Sequence, residues 1–243
     1  MRVRFILWGL CLIVGLSIKP SILRVAAQGG SASVSDVAGL IAALADLDIN
    51  RIDIAEGEYL LSATLQVNHV VSLYGQGVDV TIIKRDPGVA SNAGFPLLIV
   101  GPTALEIHNL TLRDGVTDPN APESSGGAIR AGVAAQVSIF DSKLENNHAN
   151  LFGGAIYAED AAIHLERSIL VGNSTDWNGG AVGWTFPGES ARYLQLTATC
   201  VLFMNNTSVN TGGALVFYAN NSSSINNSSF IGNDGGAADI AIN

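Results

Sequence analysis

The sequence repeats one short motif, and this repetition constrains the fold more than any other feature. Two adjacent glycines stand immediately before an alanine in five places, beginning at Gly126, Gly153, Gly179, Gly212 and Gly235. In three copies an asparagine lies six residues before the first glycine, which gives the unit [LF]-x-x-N-x5-G-G-A. Successive pairs are 27, 26, 33 and 23 residues apart. Such intervals are typical of a solenoid, in which each repeat forms one coil.

The segments between these landmarks predict strands rather than paired helices. They are short, they alternate apolar and polar residues, and they are bounded by glycine and asparagine, as in AQVSIFDSKL and AAIHLERSIL. The fourth position of G-G-A-x is always aliphatic, so we expect this column to face the core: Ile129, Ile156, Val182 and Leu215. The next column has no common chemistry, so we expect it to face outward: Arg130, Tyr157, Gly183 and Val216.

Two further sets of apolar positions complete the coil. Inward pairs on a second strand are Val137 with Ile139 and Ile163 with Leu165, and inward residues of a third strand are Leu144, Leu170, Phe203 and Phe230. Three short parallel strands in each coil predict an all-β, single-stranded right-handed parallel β-helix of about seven coils over residues 50–243. The recurring asparagines suit its turns, because asparagine tolerates left-handed backbone angles and identical amides stack into ladders.

The N-terminus has a different pattern. Arg2 and Arg4 precede the apolar run from Phe5 to Leu16, which predicts a signal peptide over residues 1–27 and, as an alternative, an uncleaved anchor. The remaining 28–243 form one domain. Within it, residues 33–47 show helical spacing of apolar residues, with Ser35 as the expected N-cap. We expect this helix to cover the N-terminal end of the solenoid core.

Charge and composition exclude several classes of function. Removal of residues 1–27 takes away four basic residues and no acidic one, so the formal net charge changes from −9 to −13. Nucleic acid is therefore not an expected partner, because phosphate binding needs a basic surface. The four histidines, His69, His108, His148 and His164, lack metal-ligand spacing. We expect no metal, no cofactor and no membrane span after cleavage of the signal peptide.

The motifs also carry a family likeness. The segment from Ile52, IDIAEGEYLLSATLQVNHVVSLYGQGVDVTII, resembles the N-terminal region of pectin-lyase-like β-helix proteins, and the GGAI and FxxN tetrapeptides resemble repeats of chlamydial polymorphic outer membrane proteins. The resemblance covers roughly residues 33–243. It implies a secreted or cell-surface protein, often adhesive in that group. No autotransporter barrel follows in this sequence, which is a departure from that family.

One irregular interval suggests a site. The 33-residue spacing after Gly179 is longer than its neighbours, and the extra residues fall between Trp184 and Tyr193. Insertions in solenoids form loops on one face, where aromatic rings beside charged groups suit sugar binding. The candidate ligand-binding residues are Tyr157, Glu159, Asp160, Trp177, Trp184, Glu189, Arg192 and Tyr193. The alternative is that these aromatic residues only pack the loop against the coil.

The sequence thus favours a secreted or cell-surface, non-catalytic adhesion module that contacts a polysaccharide or a cell-surface glycan. Two alternatives stay open. The first is a polysaccharide lyase or glycosidase, for which Glu159 with Glu189 is the candidate carboxylate pair; no catalytic residue is assigned by motif. The second is a fragment of a longer surface solenoid, since the sequence ends shortly after a repeat landmark. We expect a monomer unless the C-terminal strand edges pair with another chain.

Overall fold

The chain folds into a parallel β-helix. The computed structural model describes residues 29–90, 93–121, 124–185, 195–217, 223–236 and 240–242. In these residues the strands form three long parallel sheets and one short sheet, and the helix, α1, spans Val37–Ala45. The predicted signal peptide, residues 1–27, lies outside the described residues.

Each long sheet takes one strand from every coil. Sheet 1 contains β1 (Gly30–Val34), β2 (Ile49–Ile54), β5 (Val71–Tyr74), β8 (Ala104–His108), β11 (Gln136–Phe140), β15 (Ala162–Glu166), β19 (Gln195–Thr199) and β23 (Ser224–Asn226). Sheet 2 contains β3 (Gly57–Leu61), β6 (Thr81–Arg85), β9 (Thr111–Arg113), β12 (Lys143–Glu145), β16 (Ile169–Val171), β20 (Leu202–Met204) and β24 (Ser229–Ile231). Sheet 3 contains β4 (Leu65–Val67), β7 (Leu98–Val100), β10 (Ile129–Ala131), β14 (Ile156–Glu159), β18 (Val182–Thr185), β22 (Leu215–Phe217) and β25 (Ile240–Ile242).

A fourth sheet lies between sheets 2 and 3 in three coils, and we call it the turn sheet. It contains β13 (His148–Ala149), β17 (Ser174–Thr175) and β21 (Thr207–Ser208). All strand pairs in the four sheets are parallel, and the register places equivalent residues of successive coils side by side; Leu144, for example, pairs with Leu112 and Leu170. The prediction of a β-helix with three strands in each coil is confirmed.

The predicted core columns are also confirmed. The inward column of sheet 3 is completely buried at Ile129, Ile156, Val182 and Leu215. On sheet 2, Leu144, Leu170 and Phe203 are completely buried, and the Phe230 ring stacks on Phe203 with centroids 4.7 Å apart. Period-two alternation thus sends one face of every strand into a single apolar core.

The outward column of sheet 3 is less exposed than its varied chemistry suggested. Tyr157 and Val216 are buried, although neither belongs to the central core cluster. The Tyr157 ring lies 6.2 Å from the Phe152 ring, and the Cβ of Tyr157 lies against Gly126. The residues that lead into each glycine pair therefore cover this outward face.

The N-terminal helix is shorter than predicted and is capped differently. Residues 30–34, part of which were predicted as helix, form β1, and α1 begins only at Val37. The N-cap is Asp36 rather than Ser35, because the Asp36 carboxylate accepts a hydrogen bond of 2.7 Å from the Gly39 N–H. Leu40, Ala43 and Leu44 pack into the solenoid core, whereas Ile41 and Leu47, which shared the predicted apolar face, are exposed.

The glycine pairs form corners at which successive coils approach closely. Gly153 has a φ of 61°, in the left-handed region that favours glycine. Gly154 has a different constraint, because a Cβ on this residue would lie 2.2 Å from the Gly180 carbonyl oxygen and 2.3 Å from that of Ser174. The first glycine permits the turn, and the second permits backbone to stack on backbone.

We predict that Gly154→Ala prevents normal folding, since the added methyl group would collide with rigid backbone rather than with a movable side chain. We expect a loss of more than about 4 kcal/mol in the free energy of unfolding, or an insoluble product. Gly132→Ala is the matched control, because its Cβ would lie 3.3 Å from the Val100 carbonyl oxygen. Soluble yield and the urea midpoint measured by circular dichroism test the pair, and equal behaviour of the two variants would contradict the assignment.

A buried asparagine ladder runs beside the glycine corners. It consists of Asn147, Asn173, Asn206 and Asn233, all buried. The Nδ2 of Asn147 donates to the Oδ1 of Asn173 at 3.0 Å, and the Nδ2 of Asn173 donates to the Oδ1 of Asn206 at 2.9 Å. The side-chain oxygens of Asn173, Asn206 and Asn233 also accept the backbone N–H of the preceding ladder asparagine, as in the bond of 3.1 Å from Asn147 to Asn173, and that of Asn147 accepts the Gly115 N–H at 3.0 Å.

The ladder residues themselves are not left-handed. The positive φ angles belong to the residues immediately before them, for example 54° at Asn146 and 64° at Gly172. Two neighbouring residues thus share the roles predicted for asparagine. The residue before the ladder position adopts the left-handed backbone of the turn, and the ladder asparagine hydrogen-bonds buried polar groups of two coils.

We predict that Asn173→Ala lowers the free energy of unfolding by roughly 2–4 kcal/mol, because it leaves the N–H and Nδ2 of Asn147 buried without their acceptor. Asn226→Ala, at an exposed position on β23, should change it by less than about 0.5 kcal/mol. Urea denaturation compares the two variants. A loss at Asn173 no larger than that at Asn226 would show that the ladder does not stabilise the fold.

Candidate functional site

The residues predicted to form a sugar site are divided between two ends of sheet 3. Glu159 and Asp160 lie where β14 ends, at the corner leading into sheet 1. Trp177 lies before β18 begins, at the corner following the turn sheet. Glu189, Arg192 and Tyr193 lie outside the described residues.

At the first corner, Glu159 and Asp160 already have partners within the fold. The Glu159 Oε2 atom lies 3.3 Å from the Nη2 atom of Arg130 in the preceding coil. Asp160 is buried, has a φ of 48°, and accepts a hydrogen bond of 3.0 Å from the Ala134 N–H at its carbonyl oxygen. These residues therefore stabilise the turn between sheets 3 and 1.

The placement of Trp184 corrects one prediction. Its side chain is completely buried in the core, so it does not present a ring at the surface. The cause is strand alternation: Val182 faces inward, Gly183 takes the outward position, and Trp184 faces inward again. Its register neighbour in the preceding coil is Ala158, whose small side chain leaves room for the indole. Tyr157 is likewise only 7% exposed, so it too is not a surface platform.

Among the predicted site residues that the structure describes, Trp177 exposes a large ring. Half of its surface, 50%, is accessible to solvent. Its backbone is held on both sides, since its N–H donates to the Thr175 Oγ1 at 3.2 Å and its carbonyl oxygen accepts from the Asn210 N–H at 3.0 Å. An exposed indole on a fixed backbone can stack against a ligand with little loss of backbone entropy.

Polar groups from two coils gather around Asp176, the residue before Trp177. The Asp176 carboxylate accepts a hydrogen bond of 3.3 Å from the Asn150 Nδ2, and its Oδ2 lies 3.6 Å from the Nε2 of His148. The other ring nitrogen of His148 lies 2.9 Å from the Ser174 Oγ. We call His148, Asn150, Asp176 and Trp177 the Trp177 corner.

The sequence contains a signal for this corner that the initial interpretation did not use. His148 and Asn150 each lie 26 residues before a member of the following coil, Ser174 and Asp176. This is the interval between the glycine pairs at Gly153 and Gly179, so the repeat itself places these side chains next to one another.

A second surface feature was also missed. Four outward rings lie in a row along sheet 1, from Tyr74 through His108 and Phe140 to His164. Their successive centroids are 4.4, 4.7 and 5.4 Å apart; the first three rings stack face to face, whereas His164 is tilted by 53° to Phe140. The Arg51 guanidinium lies 3.9 Å above the other face of Tyr74. Both faces of Tyr74 and His108 are therefore covered by neighbouring groups. This stack therefore stabilises coil-to-coil contact rather than providing flat platforms for sugar.

Sheet 2 carries a cluster of ion pairs on its outer face. The Lys84 Nζ lies 2.7 Å from the Glu58 Oε2, and the Arg113 Nη2 donates to the Glu58 Oε1 at 2.8 Å. The hydrogen bond from Lys84 is the main cause of a lowered pKa of Glu58, and the positive charges of Lys84 and Arg113 add to it. Nearby is an open depression of about 330 Å³, lined by Lys84, Arg85, Pro87, Asp114, Val116 and Asn146.

We predict that Lys84→Met raises the pKa of Glu58 towards the ordinary glutamate value of about 4.3, because the variant removes the main hydrogen-bond donor. Since the folded-state pKa is lowered, the contribution of this pair to stability is present above the ordinary pKa and is lost as the pH falls through the folded-state value. Carboxyl-detected NMR titration measures the shift. Lys143→Met is the control, because Lys143 pairs with Glu145 instead; an unchanged Glu58 pKa in Lys84→Met would contradict the assignment.

The described residues contain no group of three or more histidine, cysteine, aspartate or glutamate side chains arranged to hold a metal ion. Over the same part of the chain, no helix has the length and apolar character required to cross a membrane.

Comparison with known proteins connects the repeat to one family. Residues 141–159 match the Chlamydia polymorphic membrane protein repeat. The matched segment contains β12, β13 and β14, together with the ladder residue Asn147 and the glycine corner at Gly153. No curated protein matches the chain. The similarity therefore covers one coil without its sheet 1 strand, and it includes the two features on which stacking depends.

Proposed function

We propose that this chain is a secreted or cell-surface β-helix protein that contacts glycans without catalysing a reaction on them. Its surface location is supported by the repeat at residues 141–159, which is similar to that of a membrane protein of Chlamydia. The formal net charge of −9 concerns the ligand: it argues against nucleic acid, because phosphate binding needs a basic surface.

The observation that carries the glycan proposal is the exposed indole of Trp177 beside hydrogen-bonding groups. Sugars present apolar C–H faces and polar hydroxyl edges. An indole can pack against the apolar face, while a carboxylate, an amide and an imidazole can bond the hydroxyls. Asp176, Asn150 and His148 supply these three groups within one corner.

The arrangement suits binding at a surface rather than enclosure of a small molecule. Leu151 and Val209, which lie in neighbouring coils beside the corner, are also exposed. A ligand lying along the solenoid could therefore extend from the indole across successive coils. We propose a polysaccharide or a cell-surface glycan as the ligand, with Trp177 as its stacking platform.

Trp177→Ala should weaken glycan binding about tenfold, which corresponds to about 1.4 kcal/mol of lost ring contact. A glycan array identifies the ligand, and isothermal titration calorimetry then measures the dissociation constant of the best oligosaccharide. Asp176→Asn should also weaken binding, because it removes the charge that strengthens hydrogen bonds to hydroxyls.

Val133→Ala is the control, since it removes an exposed apolar side chain from the corner between sheets 3 and 1, at the other end of sheet 3 from the Trp177 corner. Trp184→Ala is not a matched control, because loss of that buried indole would destabilise the core. Binding that is unchanged in both Trp177→Ala and Asp176→Asn would exclude the corner as the glycan site.

A further inference from the structure

The outer face of sheet 2 changes character along the solenoid. The last four strands, β12, β16, β20 and β24, each turn a first and a third residue outward on either side of an inward one; these outward residues are half-buried in β12, β16 and β20 and exposed in β24. These pairs are Lys143 with Glu145, Ile169 with Val171, Leu202 with Met204, and Ser229 with Ile231. We call these eight residues the C-terminal face of sheet 2.

This face is charged at one end and apolar over the rest. Lys143 and Glu145 form an ion pair of 2.7 Å, with about a quarter of each side chain exposed. In β16 and β20 the outward residues are aliphatic or methionine and partly buried, and β24 carries Ser229 and Ile231, the latter 53% exposed. Contiguous apolar side chains on a flat outer face are a common feature of surfaces that bind another protein.

The face has the pattern required for contact with a second copy of the same chain. Consider two solenoids side by side, related by a two-fold axis parallel to the solenoid axis. Each coil then faces the same coil of the second copy, and the facing strands run in opposite directions. The first outward residue of each strand therefore meets the third outward residue of the other copy.

Within this face, the operation makes the rows of β12, β16 and β20 complementary, and it places Ser229 against Ile231 in the β24 row. Lys143 meets Glu145 of the second copy, and Glu145 meets its Lys143, so opposite charges lie together. Ile169 meets Val171, and Leu202 meets Met204, so apolar groups lie together. Two sheet faces can pack in this way at a separation of about 10 Å.

The alternative two-fold axis, parallel to the strands and passing between β16 and β20, gives a poor match. It would place the β12 row against the β24 row, so that Glu145 faces Ile231 and Lys143 faces Ser229. The ion pair between Lys143 and Glu145 would then lose water without gaining a charged partner from the second copy, which is costly. The charge pattern thus selects the parallel, side-by-side arrangement.

We propose that the chain forms a two-fold symmetric dimer through the C-terminal face of sheet 2, with the two solenoids parallel. The face shares no residue with the Trp177 corner. The apolar rows are few and the strands are short, so the interface is at the small end of specific protein contacts, and association depends on concentration.

Sedimentation equilibrium of the purified chain, at concentrations up to about 1 mM, tests the proposal. We expect wild type to associate as the concentration rises, and Leu202→Lys to stay monomeric. Thr197→Lys, on the outer face of sheet 1 in the same coil, is the matched control and should associate like wild type. A wild type that stays monomeric throughout would overturn the proposal and leave the face to a different partner.

Charge complementation tests the geometry itself. Glu145→Lys places lysine at both outward positions of β12, and Lys143→Glu places glutamate at both, so each variant alone should associate at least tenfold more weakly than wild type. An equimolar mixture should associate again, because the two lysines of one copy then face the two glutamates of the other. Mixing cannot restore the ion pair within either chain, so recovery reports contact between copies; a mixture that associates no better than the separate variants would overturn the proposed arrangement.

Discussion

The fold depends on one constraint, which is that successive coils must stack in a fixed register at short backbone distance. Two features maintain it along the same edge of the solenoid. The buried ladder from Asn147 to Asn233 provides acceptors for backbone and side-chain donors in the preceding coil. The glycine corners remove the Cβ atoms that would separate the coils. A buried amide without its partner is costly, and a clash with backbone has no easy relaxation, so a shift of register would lose both features together.

Fixed register has a consequence for the surface as well as for the core. Because each outward position is repeated at the strand spacing of about 4.8 Å, residues distant in sequence become neighbours on one face. The ring stack from Tyr74 to Phe140 and the carboxylate of Asp176 beside Asn150 both arise in this way. The proposed glycan corner and the proposed dimer face lie on different sides of the same scaffold, one following the turn sheet and the other on sheet 2. A solenoid can thus carry two independent surfaces without changing its core.

Much of the fold could be predicted from the repeat, whereas the site could be predicted only in part. Aligned copies were enough to identify inward residues such as Ile156 and Leu170, because alternation and stacking leave few alternatives. The surface position predicted for Trp184 was wrong because the prediction used only the aromatic character of the residue. Its position two residues after inward Val182 places it on the inward face of the strand. The N-cap was placed at Ser35 instead of Asp36 because both residue types cap helices, and only the backbone conformation distinguishes them. His148, Asn150 and Asp176 were missed because their significance lies in their relation across coils.

The sequence by itself determined the coil: its length, its three strands, its inward columns, and the asparagine and glycine at its corners. These are consequences of local pattern, since strand alternation and turn chemistry act over a few residues. The tertiary structure alone decided which polar and aromatic side chains remain at the surface and which groups they meet there. Burial of Tyr157 by the turn beside Phe152, and exposure of Trp177 next to the Asp176 carboxylate, depend on how one coil covers the next. Side-chain exposure depends on the assembled stack of coils, so it cannot be predicted from the sequence of a single repeat.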